Sequence, residues 1–140
     1  MSNFTFTPTD IPGVQIVDVK AYGDARGYFM ETYKAADFAA AGIRDTFVQD
    51  NQSGSQRGVL LSADNRRQLY IPRGFAHGFQ VLSEQAVFAY KCGDVYHPGD
   101  EGGIRWDDTD IGIVWPGQDM PILSEKDQNW PALRALGIEL

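Results

Sequence analysis

Histidines and tyrosines are the side chains best suited to proton transfer in this sequence. His77 and His97 are its only histidines, and imidazole changes its charge near neutrality, as a general acid or base must. His97 precedes Pro98 and Gly99, a turn-like setting that favours a solvated loop histidine. A tyrosine side chain, with an ordinary pKa of about 10, is suited to donate a proton. Among the six tyrosines, Tyr90 lies in a strand-like run, where from the sequence alone a buried strand tyrosine is the better interpretation.

The charge balance limits the partners that the chain can bind. Its formal net charge is −7 and its pI is near 4.6, whereas a nucleic-acid surface needs clustered lysine and arginine. We therefore expect no nucleic-acid partner. An anionic small molecule remains compatible with the sequence if a few of the 12 lysines and arginines come together locally.

Cys92 is the single cysteine, so an internal disulfide is excluded and a reducing compartment is indicated. A small buried thiol and a reactive one are both open interpretations. No apolar run is long enough to span a bilayer, and the first residues have neither the basic start nor the apolar core of a secretory signal. We expect a cytoplasmic protein without a membrane partner.

Short strands dominate the pattern along the chain. β-Branched and aromatic residues predict strands, and turn residues such as Pro12-Gly13 separate them. The predicted strands are 14–19, 28–33, 46–50, 58–61, 68–71, 79–82 and 86–92. A helix is predicted over 34–41, closed by Gly42, with a shorter one after Pro131. This pattern predicts one all-β domain over residues 1–140, as a sandwich, barrel or jelly roll.

Six sequence blocks in a fixed order carry a family resemblance. They are DARGYFME (24–31), FVQDN (47–51), RQLYIPRGFAHGF (67–79), YKC (90–92), GIRWDD (103–108) and LSEKD (123–127). The third is similar to the "IPxGFAHGF" signature of the dTDP-4-dehydrorhamnose 3,5-epimerases, and the others resemble further blocks of that family. The chain is therefore identified as a member of it.

The resemblance implies a cupin-type jelly roll with one or two short helices. It also implies a homodimer that exchanges strands between subunits, with no metal and no cofactor. The family inverts C3 and C5 of dTDP-4-dehydro-6-deoxy-D-glucose, a step of dTDP-L-rhamnose biosynthesis. Both carbons adjoin the C4 ketone, so that a base, an oxyanion donor and an acid complete the chemistry.

The family's base lies in a "VLRGLHYQ" block that this sequence lacks. The chain passes from Val59-Leu60 directly to Leu61-Ser62, so an internal deletion at about 60–61 is predicted, removing the base histidine, a lysine and their strands. The jelly roll is then expected to be incomplete or strand-swapped.

The resemblance assigns Tyr90 as the acid, His77 as a supporting group beside the base, and Asp127 as the base's hydrogen-bond partner. Asp127 could equally be a first-turn acid of a helix that starts at Ser124.

Binding residues survive better than catalytic ones. The resemblance places Arg26, Glu31, Gln49 and Asn51 on the thymidine diphosphate, Tyr96 near the nucleotide or sugar, and Lys126 near the diphosphate. Basic groups suit a phosphate. As alternatives, Arg26 and Glu31 could form a surface pair, and Gln49 and Asn51 could cap a strand end.

Three functional hypotheses follow. The first is an isomerase of nucleotide-sugar biosynthesis with a dTDP-sugar ligand. The second is a catalytically impaired dTDP-sugar-binding or subunit-interaction protein, which explains the missing base. The third, a metal-dependent cupin oxygenase, needs clustered histidines with a carboxylate, and the spacing of His77 and His97 disfavours it.

Overall fold

A computed structural model describes residues 2–56, 66–116 and 120–137, and short strands dominate it. The strands are β1 (Phe4–Pro8), β2 (Gln15–Val19), β3 (Ala21–Asp24), β4 (Gly27–Met30), β5 (Gln49–Gln56), β6 (Arg67–Tyr70) and β7 (Gln85–Cys92). The helices are α1 (Ala35–Ala40), α2 (Glu125–Asn129) and a 3₁₀ turn over Leu133–Leu136. The fold class is therefore all-β with short helices, as predicted.

The main core lies between a three-stranded antiparallel sheet and α1. The sheet has the order β1-β2-β6, and Val17 in its central strand is fully buried. Phe38 of α1 packs edge-on against Phe4 and Phe6, with ring centroids 5.3 and 5.1 Å apart. Edge-to-face aromatic pairs add to the free energy gained by burying their area. One helical side chain thus fastens α1 to the sheet.

Helix α1 ends where the sequence predicts. Gly42 has a φ of 92°, a left-handed conformation that glycine adopts without a Cβ clash. The backbone N–H groups of Gly42 and Ile43 donate to the carbonyls of Ala39 and Phe38, which is the Schellman pattern. Ile43 is buried in the core cluster, so the helix end is fixed both by hydrogen bonds and by apolar contact.

Two further antiparallel pairs complete the described strands. β3 and β4 form a hairpin in which Asp24 pairs with Gly27. β5 and β7 form a longer ladder in which Gln49 pairs with Cys92 and Asn51 pairs with Tyr90. Each pair is separate from the three-stranded sheet in the portions of the chain that the structure describes.

Most of the predicted elements are confirmed with shifted ends, and one strand is wrong. Residues 79–82 form no strand, and Phe79 instead stacks on Phe88 of β7, with ring centroids 4.4 Å apart. Strands β1 and β3 were not predicted. The predicted strand at 58–61 and the predicted deletion at 60–61 lie outside the described residues.

Replacing Val17 by alanine should lower the free energy of unfolding by about 1.5–3 kcal/mol, because two buried methyl groups are lost and a cavity remains. Val87→Ala is the matched control, since this valine is 69% exposed and its truncation should cost at most about 0.5 kcal/mol. Urea unfolding measures both. Equal midpoints for the two variants would contradict the assignment of Val17 to the core.

Candidate nucleotide-sugar site

A pocket of about 350 Å³ lies on one face of the β5-β7 ladder. Side chains alternate along a strand, so the pairs Gln49 with Cys92 and Asn51 with Tyr90 point to the same face. The pocket is lined by Gln49, Asn51, Tyr90, Cys92, Asp94, Val95, Tyr96, His97, Asp100 and Glu101. Its volume suits a small organic ligand.

Hydrogen bonds fix the amide side chains on the pocket floor. Gln49 Nε2 donates to Asn51 Oδ1 at 2.9 Å, and Gln49 Oε1 accepts from the backbone N–H of Tyr96 at 3.0 Å. Asn51 Nδ2 donates to Cys92 Sγ at 3.4 Å. Gln49 therefore ties the loop that carries Tyr96 to the strand, and these hydrogen bonds order the pocket floor.

The rim of the pocket carries one lysine beside a carboxylate and a phenol. Lys126 Nζ forms an ion pair with Glu101 Oε2 and lies 3.5 Å from Tyr96 Oη. Tyr96 Oη in turn donates to Glu101 Oε2 at 3.2 Å. The hydrogen bond from Lys126 is the main reason why the pKa of Glu101 is lowered, and the same bond raises the pKa of Lys126. Both groups are charged at neutral pH.

Helix α2, which carries Lys126, is held in place by the residues that follow it. None of its own side chains is buried. After it, the indole of Trp130 covers Gly103 so closely that a Cβ there would lie 2.5 Å from the ring. Arg105 N–H donates to the Pro131 carbonyl at 3.0 Å. Glycine at position 103 is therefore required for this docking, and the docking sets the position of Lys126.

A buried carboxylate, Asp108, also helps to hold the segment that follows α2 in place. Asp108 accepts hydrogen bonds from the backbone N–H groups of Leu133, Asp110 and Ile111 at 2.9, 2.9 and 3.1 Å. The bond from Leu133 is the largest cause of its lowered pKa. These three donors stabilise the ionised form of the carboxyl. Through the same hydrogen bonds, Asp108 joins the turn at 106–112 to the 3₁₀ segment that contains Leu133.

The structure brings five of the nine predicted site residues together. Gln49, Asn51, Tyr90 and Tyr96 line the pocket, and Lys126 joins them through Tyr96.

The other four, Arg26, Glu31, His77 and Asp127, are not among the described lining residues. Arg26 pairs with Asp24 at 2.6 Å, and Glu31 accepts from Asn3 at 2.5 Å, so the two do not form the surface pair offered as an alternative. His77 is exposed.

Asp127 belongs to the cap of α2. Its backbone N–H donates to Ser124 Oγ at 3.2 Å, and Ser124 Oγ donates to its carboxylate at 2.7 Å. This arrangement matches the helix-start alternative. Its role as the partner of a base stays a prediction.

Sequence reasoning missed three lining residues that chemistry can use. His97, expected to be a solvated loop residue, is exposed but forms part of the pocket wall. Glu101 was not singled out. Cys92 is half-buried on the pocket floor. The available signals were the two-residue spacing of Cys92 from Tyr90 and the position of His97 directly after Tyr96.

Metal and membrane features are absent from the ranges that the structure describes. No group of three or more histidine, cysteine, aspartate or glutamate side chains there could hold a metal ion. No helix there is long and apolar enough to cross a bilayer.

Comparison with known proteins first defines the class. An enzyme from Legionella pneumophila, solved with dTDP-4-keto-L-rhamnose, superposes with a TM-score of 0.87 at 35% identity, over 94% of this chain and 93% of that one. A 3,5-epimerase from Elizabethkingia anophelis gives 0.84 at 34% identity, over 96% and 98%. The chain has the cupin-type fold of the nucleotide-sugar epimerases.

The sequence comparisons then name the family. The dTDP-4-dehydrorhamnose 3,5-epimerase model matches residues 8–60 and 57–135. The enzyme of that name from Methanothermobacter thermautotrophicus is 40% identical over 179 residues, covering 96% of this chain and 97% of its own length. The Salmonella typhimurium enzyme is 39% identical over 170 residues, covering 89% and 93%. The chain belongs to the dTDP-4-dehydrorhamnose 3,5-epimerase family.

Acidification should release the anchor at Asp108. A lowered folded-state pKa means that its contribution is complete above the ordinary carboxyl pKa of 3.8 and disappears as pH falls through the lower folded value. The measurement is hydrogen exchange at the Leu133 amide, normalised to the intrinsic rate. Protection should fall with pH in the wild type, and in Asp108→Asn it should be low throughout.

Asp107→Asn is the control for this anchor, because Asp107 pairs with Arg105 on the surface and should leave the Leu133 profile unchanged. Amides of β2 report on global unfolding. If Leu133 loses protection only when β2 does, Asp108 is not a local anchor.

Proposed function

We propose that the chain binds a dTDP-linked 4-keto-6-deoxy sugar in the β5-β7 pocket. We further propose that it acts as a 3,5-epimerase on dTDP-4-dehydro-6-deoxy-D-glucose in dTDP-L-rhamnose biosynthesis. The observation that carries this proposal is the pocket itself, in which Tyr90 shares a face with Gln49 and Asn51. Structures of relatives hold dTDP-4-keto-L-rhamnose and, in Bacillus anthracis, TDP and PPi, which supports the ligand class.

The geometry supports Tyr90 as the acid of the reaction. Removal of a proton from C3 or C5 gives an enolate whose charge rests on the C4 oxygen, and an acid then returns a proton to the opposite face. Tyr90 is 45% exposed and lines the pocket between Asn51 on the neighbouring strand and Phe88, whose ring centroid lies 5.2 Å from its own. A phenol held there can donate to a bound sugar.

The catalytic base is the part of the proposed reaction that the described residues support least. We propose that an internal block with the family's base histidine and oxyanion lysine is missing at about 60–61. Two findings support this: the family model matches in two parts that meet at residues 57–60, and the alignment with the Methanothermobacter enzyme runs over more residues than this chain has. His97 is the histidine that lines the pocket among the described residues.

Exchange of the C3 and C5 protons of dTDP-4-dehydro-6-deoxy-D-glucose in D₂O tests the function, with proton NMR as the readout. We expect protein-dependent exchange that is slower, by roughly 10²–10⁴-fold, than in a relative with the histidine block, because that is the usual contribution of a positioned base. Tyr90→Phe should allow exchange while blocking inversion, since an acid acts after proton removal.

The histidine variants distinguish the remaining outcomes. Loss of exchange in His97→Asn but not in His77→Asn identifies the pocket histidine as the base, and the reverse supports His77. No exchange above the protein-free rate, even at high enzyme concentration, refutes the epimerase and leaves a dTDP-sugar-binding protein.

We also propose that the chain forms a homodimer and that it lies in the cytoplasm. Large apolar side chains are strongly exposed in this chain, with Val114 at 93%, Ile122 at 92% and Phe29 at 69%, and a second copy would bury such surface. Exchange of strands between subunits could also carry Arg26 and Glu31 to the pocket of the partner. The single cysteine supports a reducing compartment.

Light scattering at micromolar concentration tests the assembly. We expect twice the chain mass of 15.5 kDa, because paired copies bury exposed apolar side chains and sheet edges. Phe29→Ser should shift the distribution towards the monomer if β4 lies in the interface. A wild-type monomer at these concentrations would contradict the dimer.

A further inference from the structure

A lysine lies behind the pocket, on the opposite face of the β5-β7 ladder. Lys91 follows Tyr90 on β7, and Asp50 lies directly opposite it on β5. Because side chains alternate along a strand, this pair points away from the face that carries Tyr90. Lys91 Nζ donates to both carboxylate oxygens of Asp50, at 2.7 and 2.9 Å. The ion pair therefore joins the two strands from behind, at the level of the pocket floor.

The ion pair is flanked on both strands by side chains of the pocket floor. Asp50 stands between Gln49 and Asn51 on β5. Its lysine partner stands between Tyr90 and Cys92 on β7. Opposite charges directly across two antiparallel strands stabilise their pairing and its register. A backbone shift at either member of the pair would therefore displace two floor side chains at once.

Lys91 also connects the ladder to the main core. Its ammonium lies 4.9 Å from the centroid of the Tyr33 ring, and a cation over an aromatic face is attracted to it. Tyr33 packs edge-on against Phe38 and Phe47, with ring centroids 4.8 and 5.3 Å away. In the described ranges, the ladder shares no hydrogen-bonded strand with the three-stranded sheet. Side-chain contacts such as this one therefore hold the ladder against the core.

The Tyr90 phenol needs this connection because no hydrogen bond fixes its hydroxyl among residues 2–56, 66–116 and 120–137. Its ring lies 5.2 Å from the Phe88 ring on the same strand. The direction of the phenol is therefore set by the backbone of β7 and by this ring contact.

Resting on the proposed function, we propose that Lys91 is a positioning residue for the acid of the epimerisation. Its ammonium holds β7 between Asp50 on the neighbouring strand and the Tyr33 ring of the core. The Tyr90 phenol is thereby kept facing the bound sugar, which Lys91 itself does not touch.

A purely stabilising ion pair would act differently. The side chain of Asp50 is 71% exposed and that of Lys91 is 30% exposed, and an exposed pair alone changes an equilibrium constant by about fivefold at most. If its loss only unfolds some molecules, proton exchange and inversion fall by the same factor, since both scale with the folded fraction. A displaced acid instead slows inversion alone, because it acts after proton removal.

The test compares deuterium exchange with net inversion of dTDP-4-dehydro-6-deoxy-D-glucose in D₂O, both followed by proton NMR. Lys91→Met keeps the apolar stem and removes the ammonium. Inversion should fall by about 3- to 30-fold, because a small misplacement of a reacting group slows its step strongly, whereas exchange should stay within about twofold. Lys91→Arg should restore the ratio, since a guanidinium can bind a carboxylate and stack on a ring. Lys20→Met is the matched control: Lys20 lies 5.0 Å from the Tyr22 ring, outside the ladder, and the ratio should not change.

Asp50→Asn breaks the same ion pair from the other strand, and it keeps the test decisive if Lys91→Met does not fold. The ratio of exchange to inversion should rise in it as well, and the two substitutions together should give less than the product of their effects. The inference is overturned if the ratio is unchanged in both variants, if Lys91→Arg fails to restore it, or if Lys20→Met raises it equally. Exchange and inversion by the wild type then still uphold the epimerase. Exchange without inversion in the wild type refutes the positioning role and Tyr90 as the acid, and no exchange at all refutes the proposed function as well.

Discussion

The register of β5 against β7 is the constraint on which the site depends. Asn51 lies opposite Tyr90, and Gln49 lies opposite Cys92, so four polar or reactive side chains share one face. A shift of one residue would turn all of one strand's side chains to the other face and would replace Tyr90 by Lys91 or Ala89. The hydrogen bond from the Tyr96 backbone N–H to Gln49 then fixes the loop that forms the pocket wall relative to this ladder.

The motif blocks name residues of both the floor and the rim of this site, but local geometry explains only the floor. Strand alternation and the motif blocks are sufficient for Gln49, Asn51 and Tyr90, because β-strand geometry fixes their common face. The position of Lys126 depends on contacts distant in sequence: Trp130 seated on Gly103, and Leu133 bonded to Asp108. No short-range pattern encodes that docking. For the same reason Glu101 escaped notice, since its ion pair with Lys126 exists only once α2 is in place.

The strand that was wrongly predicted and the strand that was missed have a similar physical origin, because both depend on contacts between residues distant in sequence. Residues 79–82 have the composition of a strand, yet among the described residues only Val81 forms an isolated bridge, and Phe79 packs against an aromatic ring on β7. β1 was overlooked although phenylalanine and threonine alternate in it, and its pairing with β2 supplies two rings of the core. Asp127 matches a catalytic motif but also satisfies the first turn of α2. Here a short polar side chain has a local use that the motif alone could not reveal.

The charged side chains and the position of the proposed gap affect different properties of this protein: the first bear on ligand affinity and the second on turnover. Acidic residues outnumber basic ones, 19 to 12, and the described ion pairs already occupy Arg26, Lys91, Arg105, Lys126 and Arg134. An anionic ligand that contacts any of these groups would therefore compete with internal carboxylates. The contacts proposed for such a ligand on β5, β7 and α2 nevertheless all lie outside the proposed gap at 60–61. Loss of that block would remove the proton-abstracting group without touching the pocket floor, so nucleotide affinity and turnover in this chain can vary independently.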